Sequence, residues 1–226
     1  YIQVDVFFYN SETVGYDGGV CTVGFLCVKT GHDWLYNMRD KGDAYNKLKK
    51  FVTEIRQLGL NDGSKIDFMI SEMKTDSGGE FMPEYWNERC GEYGIFHKIK
   101  PHPEHLAYRE ARFGALRDRT RCLMAQSVVP RDLQQEAIAE YAPVPDEMWP
   151  LAVLHANFLM NTCYPRRKHG GKTSHEIIYK TAFDTSNIKI WWSPIFSYID
   201  EKTRKHHESC GMYGRFVGIN IARNSY

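Results

Sequence analysis

Little in this sequence points to a membrane span, a disulfide scaffold or a small zinc module. No apolar run in the 226 residues approaches the ~18 that a bilayer-crossing helix needs. Six cysteines, Cys21, Cys27, Cys90, Cys122, Cys163 and Cys210, are scattered without a single C-x-x-C pair. That spacing excludes a zinc ribbon and a dense disulfide framework, and it favours a reducing compartment. His206 and His207 lie three or four residues before Cys210, but no second ligand pair faces them. A nucleophile elbow, a dinucleotide fingerprint, an internal repeat and a long linker are all missing. The opening YIQVDVFF has neither an initiator Met nor a basic-then-apolar leader. It reads as a fragment or mature piece rather than a secreted precursor, and a nuclear or cytoplasmic location is expected.

With 42% hydrophobic and 25% charged residues, the chain can bury a core, which removes disorder and low-complexity readings. The net charge is only +1, but it is unevenly placed. Residues 1–40 hold two bases against five acids, whereas residues 98–131 hold eight bases against three acids. A locally acidic site beside a polyanion-binding face fits this asymmetry, and so does a solvated basic helix.

The pattern of elements gives the fold class. Ile2–Phe8 and Val20–Val28 are apolar, rich in β-formers and separated by turn residues, which predicts a hairpin. A third strand is expected around Trp34–Met38. A helix follows, with Ala44, Tyr45, Leu48, Phe51, Val52, Ile55 and Leu58 on one face, Asp43 at its start and Gly59 at its end. Ile66–Ile70 reads as a buried strand, Met82–Glu92 as a short helix and Gly94–Ile99 as another strand. Pro101 and Pro103 precede a long helix at about Glu104–Gln126, and Trp149–Leu159 forms an apolar helix. From Ile188 onward the residues predict short strands. Antiparallel strands, then helix crossovers, then a β-rich tail indicate an α/β mixed-sheet domain with a C-terminal extension.

Three acids stand out. Glu110 falls on the apolar stripe formed by Leu106, Phe113, Leu116 and Leu123 of the long helix. Such a carboxylate needs a cationic partner such as Arg109 or Arg112, a proton, or a metal ion. Asp5 interrupts the first strand, where alternation puts Ile2, Val4 and Val6 on one face and Asp5 with Phe7 on the other. Asp76 sits in a turn followed by Gly78 and Gly79, whose backbone bends freely. Three such hard oxygen ligands suit Mg²⁺.

The segment from Lys74 to Met124 resembles the core of retroelement integrases of the copia type. Asp76-Ser77-Gly78-Gly79-Glu80-Phe81 matches that family's D-N-G-G-E-[FY] block, and Gly94-Ile95-Phe96-His97 its G-I-x-H block. Pro103 followed by Glu110 matches the block that carries its final acid. Asp76 and Glu110 are 34 positions apart, near the D,D-35-E spacing of the family. DEMWPLAVLHANFLMN and GMYGRFVGINIARNSY resemble later segments of the same family.

The resemblance implies a ribonuclease H-like fold, a mixed sheet of about five strands flanked by helices. Residues 1–163 would form the catalytic core, and residues 164–226 a small β-rich extension with basic loops. The acidic triad would be Asp5, Asp76 and Glu110, holding Mg²⁺ or Mn²⁺ for 3′-processing and strand transfer of DNA. Arg109, Arg112, Arg117 and Arg119 would contact DNA phosphates. DNA ends and target, and further copies of the chain, would be its partners. The flanks depart from the family: Val6-Phe7-Phe8 replaces a Gly-Pro region, Leu106-Ala107 an Asn-Gly pair, and Ala111 a base. The paired His and Cys of the family's zinc module are not found in this stretch. A catalytically inactive, host-adopted relative serving as a structural or nucleic-acid-binding subunit of a larger assembly fits the same residues.

Overall fold

A computed structural model describes residues 1–8, 13–58, 69–81, 83–100, 106–125, 143–198 and 211–219. Expectations for Gly59, 66–68, Pro101, Pro103, 201–207 and Cys210 lie outside the described residues. Among the described residues there are seven strands and five α-helices: β1 Ile2–Phe7, β2 Cys21–Cys27, β3 Asp33–Met38, α1 Ala44–Gln57, β4 Glu72–Thr75, α2 Pro83–Glu92, β5 Phe96–Ile99, α3 Ala107–Ala125, α4 Trp149–Thr162, α5 Ser174–Tyr179, β6 Pro194–Tyr198 and β7 Gly211–Arg215.

The first five strands form one mixed sheet in the order β3-β2-β1-β4-β5. β1 pairs antiparallel with β2 and parallel with β4. The hairpin of β1 and β2 is as the sequence predicts. The fourth strand of the described residues lies at Glu72–Thr75; of the run expected as a strand at Ile66–Ile70, residues 66–68 lie outside the described residues and Met69 is 90% exposed. Only Met73 and Thr75 of β4 are buried, so its alternation is too short to outweigh the apolar run before it.

Each face of the sheet carries a core. On one side Ile2, Val4 and Val6 of β1 meet Val23, Phe25, Trp34 and Tyr36 under α1 and α2, where Phe25 stacks on Phe51. The periodic face of α1 supplies Ala44, Leu48, Phe51, Val52 and Ile55. On the other side Phe7 and Leu35 meet Phe113, Leu116 and Leu123 of α3 and Trp149, Ala152, Val153 and Ala156 of α4. The alternation along β1 thus sends Asp5 toward the α3 and α4 side. Residues beyond 163 join both cores, Ile178 the first and Trp191 the second. His155 of α4 stacks on Trp191 and meets Phe216 edge-on, which seats the β6–β7 segment against α4.

Candidate active site

The pairing registers bring two of the three acids together. Gln3 lies beside Lys74 in the parallel pair, so two residues further on Asp76 comes alongside Asp5. Asp5 is half-buried, and its carboxylate accepts from the Val6 amide at 2.7 Å. Burial pushes its pKa up to about 6, and the nearby Asp76 and Glu80 carboxylates push in the same direction. The Val6 hydrogen bond and the Arg109 guanidinium act against this rise.

Asp76 is held by its turn. Its Oδ1 accepts from Gly78 N at 3.0 Å, and a Cβ on Gly78 would lie 3.0 Å from both Asp76 Oδ1 and Glu80 Oε2. The two carboxylates therefore flank the glycine. Phe81, at the end of the same block, is buried against Trp86, whose Nε1 donates to Glu80 O. This packing fixes the loop to the core beneath α2. His97 touches Thr75 Oγ1 through Nε2 at 2.9 Å and Asn87 Oδ1 through Nδ1 at 2.8 Å. Thr75 in turn donates to Asp76 O at 3.0 Å, so the histidine of the G-I-x-H block braces the strand end that carries Asp76. Lys41 forms an ion pair with Glu80 at 3.7 Å and lies over the Phe8 ring, adding a base near these acids.

Glu110 is placed differently from the sequence expectation. Leu106, Phe113, Leu116 and Leu123 are buried as predicted, but Glu110 is exposed, and Arg109 and Arg112 take the inward positions. Among the described residues, no three His, Cys, Asp or Glu side chains converge closely enough to hold a metal ion. Helical geometry puts Arg112 about 160° round α3 from Glu110, whereas Arg117 falls within about 20° of it. Arg112 faces α4, and Arg117 lies over the Phe7 ring of β1 at 5.6 Å. Glu110 therefore sits on the β1 side of α3, facing away from α4.

Arg109 and Arg112 form an interior network rather than a surface. Arg109 Nη1 donates to Asp33 Oδ1 at 2.5 Å, with both side chains fully buried. Arg112 Nε lies 3.4 Å from Asp33 Oδ2, and its Nη2 donates to Asn157 and Asn161, each at 2.8 Å. The same two asparagines donate to Asp33 O. Burial pulls the Arg112 pKa down to about 10 against the restoring charge of Asp33. These contacts correct the expectation that Arg109 and Arg112 touch DNA, because a side chain enclosed this way has no phosphate within reach. Arg117 is exposed, while Arg119 is half-buried, bonded back to Ala115 O and lying over Tyr164.

Sequence reasoning missed Asp33, Gly24, Gln3, Asn157 and Asn161. Asp33 opens a strand 76 positions from Arg109, and no local pattern links the two. Two asparagines four apart on the apolar helix α4 were the one visible signal.

This sheet with its helices is the α/β fold of integrase catalytic cores. The catalytic core domain of BIV integrase superposes with a TM-score of 0.52 at 13% identity, over 79% of this chain and 93% of that one. Two structures of the HTLV-2 integrase catalytic core domain in complex with magnesium, a trimeric and a dimeric form, give TM-scores of 0.48 and 0.49 at 17% and 16% identity. They cover 78% of this chain and 94% and 93% of theirs. No protein-family model and no curated protein matches the chain.

Proposed function

We propose that the chain is a metal-dependent polynucleotidyl transferase acting in 3′-processing and strand transfer of DNA, with Asp5, Asp76 and Glu110 as its acidic triad and a copia-type integrase as its parent. The observation that carries this reading is the juxtaposition of Asp5 on β1 with Asp76 just past the end of the neighbouring β4; burial first, and the Asp76 charge second, raise the Asp5 pKa there. Two mutually repelling carboxylates fit a hard divalent cation in donor chemistry, since a cation relieves that repulsion. Asp5 and Asp76 would hold Mg²⁺ or Mn²⁺, with Glu110 completing the set from the β1 side of α3. The ion, when bound, supplies water or 3′-hydroxyl activation and stabilises the leaving oxygen. Arg117 and Arg119 are the arginines proposed to meet DNA phosphates. We assign residues 1–163 to the core and 164–226 to an extension packed on it, acting in the nucleus or cytoplasm, with homo-oligomers formed on DNA.

The exposure of Glu110 on α3 favours a second reading, a non-catalytic integrase-derived subunit of a larger assembly. Thermal melting with and without Mn²⁺ separates the two, since a ligand that binds only the folded state stabilises it. The enzyme reading expects millimolar Mn²⁺ to raise Tm in the wild type and not in Asp76→Asn. It also expects divalent-dependent nicking of duplex DNA that Glu110→Gln abolishes. An unmoved Tm and no nicking by the wild type would reject it.

A further inference from the structure

Arg109 is fully buried, and its surroundings come from three strands and its own helix. Its backbone N–H donates to Gln3 Oε1 of β1 at 3.0 Å. Nη1 reaches Asp33 of β3, and Cζ lies 3.9 Å over the Phe113 ring one turn along α3. On β2, a Cβ at Gly24 would fall on Nη2, so the guanidinium fills the volume that a side chain at position 24 would take. Gly24 is the direct cross-strand partner of Asp5. Side chains directly opposite in an antiparallel pair stand ~4.5–5.5 Å apart at Cβ on the same face. The guanidinium therefore occupies the neighbouring place to Asp5 on the β2 side, while Asp76 occupies the place on the β4 side. Arg109 is also the residue immediately before Glu110.

We propose that Arg109 is a positioning residue for the carboxylate site: its side chain locks the first turn of α3 onto β2 and β3 through Gly24 and Asp33, adding to the backbone bond with Gln3 of β1, and so sets where Glu110 stands relative to Asp5 and supplies the fixed cation beside Asp5. The inference rests on the enzymatic reading above for its catalytic consequence, but the locking itself does not. Two observations point beyond packing. Nε and Nη2 make no hydrogen bond among the described residues, so full hydrogen bonding does not account for the buried guanidinium. Asp33 already has Arg112 as a counter-charge, so neutralising the aspartate does not require Arg109.

Arg109→Met tests this, because it keeps the volume over Gly24 and leaves Asp33 and Arg112 as a balanced pair. Hydrogen exchange at the amides of residues 107–113 in metal-free protein, and Mn²⁺-dependent nicking of duplex DNA, are measured together. Exchange at least tenfold faster in that turn, kcat at least tenfold lower and KM for DNA within about threefold of wild type are expected. Arg109→Lys should recover part of the lost kcat. Wild-type exchange in Arg109→Met, a wild-type kcat, or equal kcat in the Met and Lys variants would each overturn the proposal. If Arg109→Met does not fold, Gly24→Ala displaces the guanidinium without deleting it. The same two losses are expected there, and wild-type values overturn the proposal. A wild type that does not nick DNA refutes the enzymatic reading alone, since the exchange measurement still decides whether Arg109 locks the helix.

Discussion

Replacing Asp33 by Asn should be among the most damaging single changes to this fold. The substitution keeps the shape of the side chain and leaves the backbone contacts from Asn157 and Asn161 in place, so it removes little besides charge. Three ionised groups are enclosed together in the native state: one carboxylate and the two guanidiniums of Arg109 and Arg112. Losing the carboxylate leaves two buried cations with no opposite charge, and breaking a buried pair in this way costs ~3–5 kcal/mol. For a chain of this length each kcal/mol lowers Tm by ~2–4 °C, so a fall of ~6–20 °C is expected. Urea denaturation at neutral pH reads the same quantity as a lower midpoint at constant slope. Adding Arg109→Met to Asp33→Asn removes one of the stranded cations and should return part of the loss. A destabilisation below ~1 kcal/mol for Asp33→Asn would show that the interior charges are solvated or neutralised in some other way, and would refute the network as described.

Other consequences follow from single residues. Burial lowers the His155 pKa to about 4, so the unfolded chain takes up its proton first as pH falls. Stability from this group is complete above pH ~6.5 and declines toward pH 4, reaching a loss of ~2 kcal/mol by pH 5. His155→Gln should flatten that part of the stability profile, and an unchanged profile would refute the assignment. Arg117→Ala should weaken DNA binding and reduce the salt slope by ~0.9, whereas Arg112→Ala should leave the slope unchanged in whatever protein stays folded. An unaltered slope in Arg117→Ala would remove that face of α3 from the interface. Trp149→Ala empties a fully buried site and deletes the donor to Thr13 O, for which a loss of ~3–5 kcal/mol is expected by chemical denaturation.

The sheet was legible where alternation was strong and local. Ile2, Val4 and Val6 against Asp5 and Phe7 give the correct faces of β1, and the seven-residue periodicity of α1 gives its buried side almost residue by residue. β4 was not foreseen because an interior strand of four residues, two of them charged, carries less pattern than the apolar run before it. The six-residue helix α5, with its Thr173–Glu176 capping box, was not foreseen. Asp5 and Asp76 stand out in the sequence by their settings, a carboxylate in an apolar strand and an acid before two glycines, and the β1–β4 register brings them side by side. Glu110 was assigned to the wrong side of its helix stripe because a buried arginine looks, in sequence, like a solvated one. What turns Arg109 and Arg112 inward is a strand aspartate and two helix asparagines far along the chain, and tertiary partners of this kind have no periodicity to read.

Every proposed ligand lies within the first 110 residues, yet that portion is not self-sufficient. Asn157 and Asn161 hold both the carbonyl of Asp33 and the guanidinium of Arg112 from a helix that begins at Trp149. A protein trimmed after α3 would keep all three acids and lose the amides that steady the charge pair behind them. Dissection for crystallisation or for a minimal catalyst should therefore cut beyond Thr162, because the amides that hold Asp33 and Arg112 come from residues later in the chain than any proposed ligand.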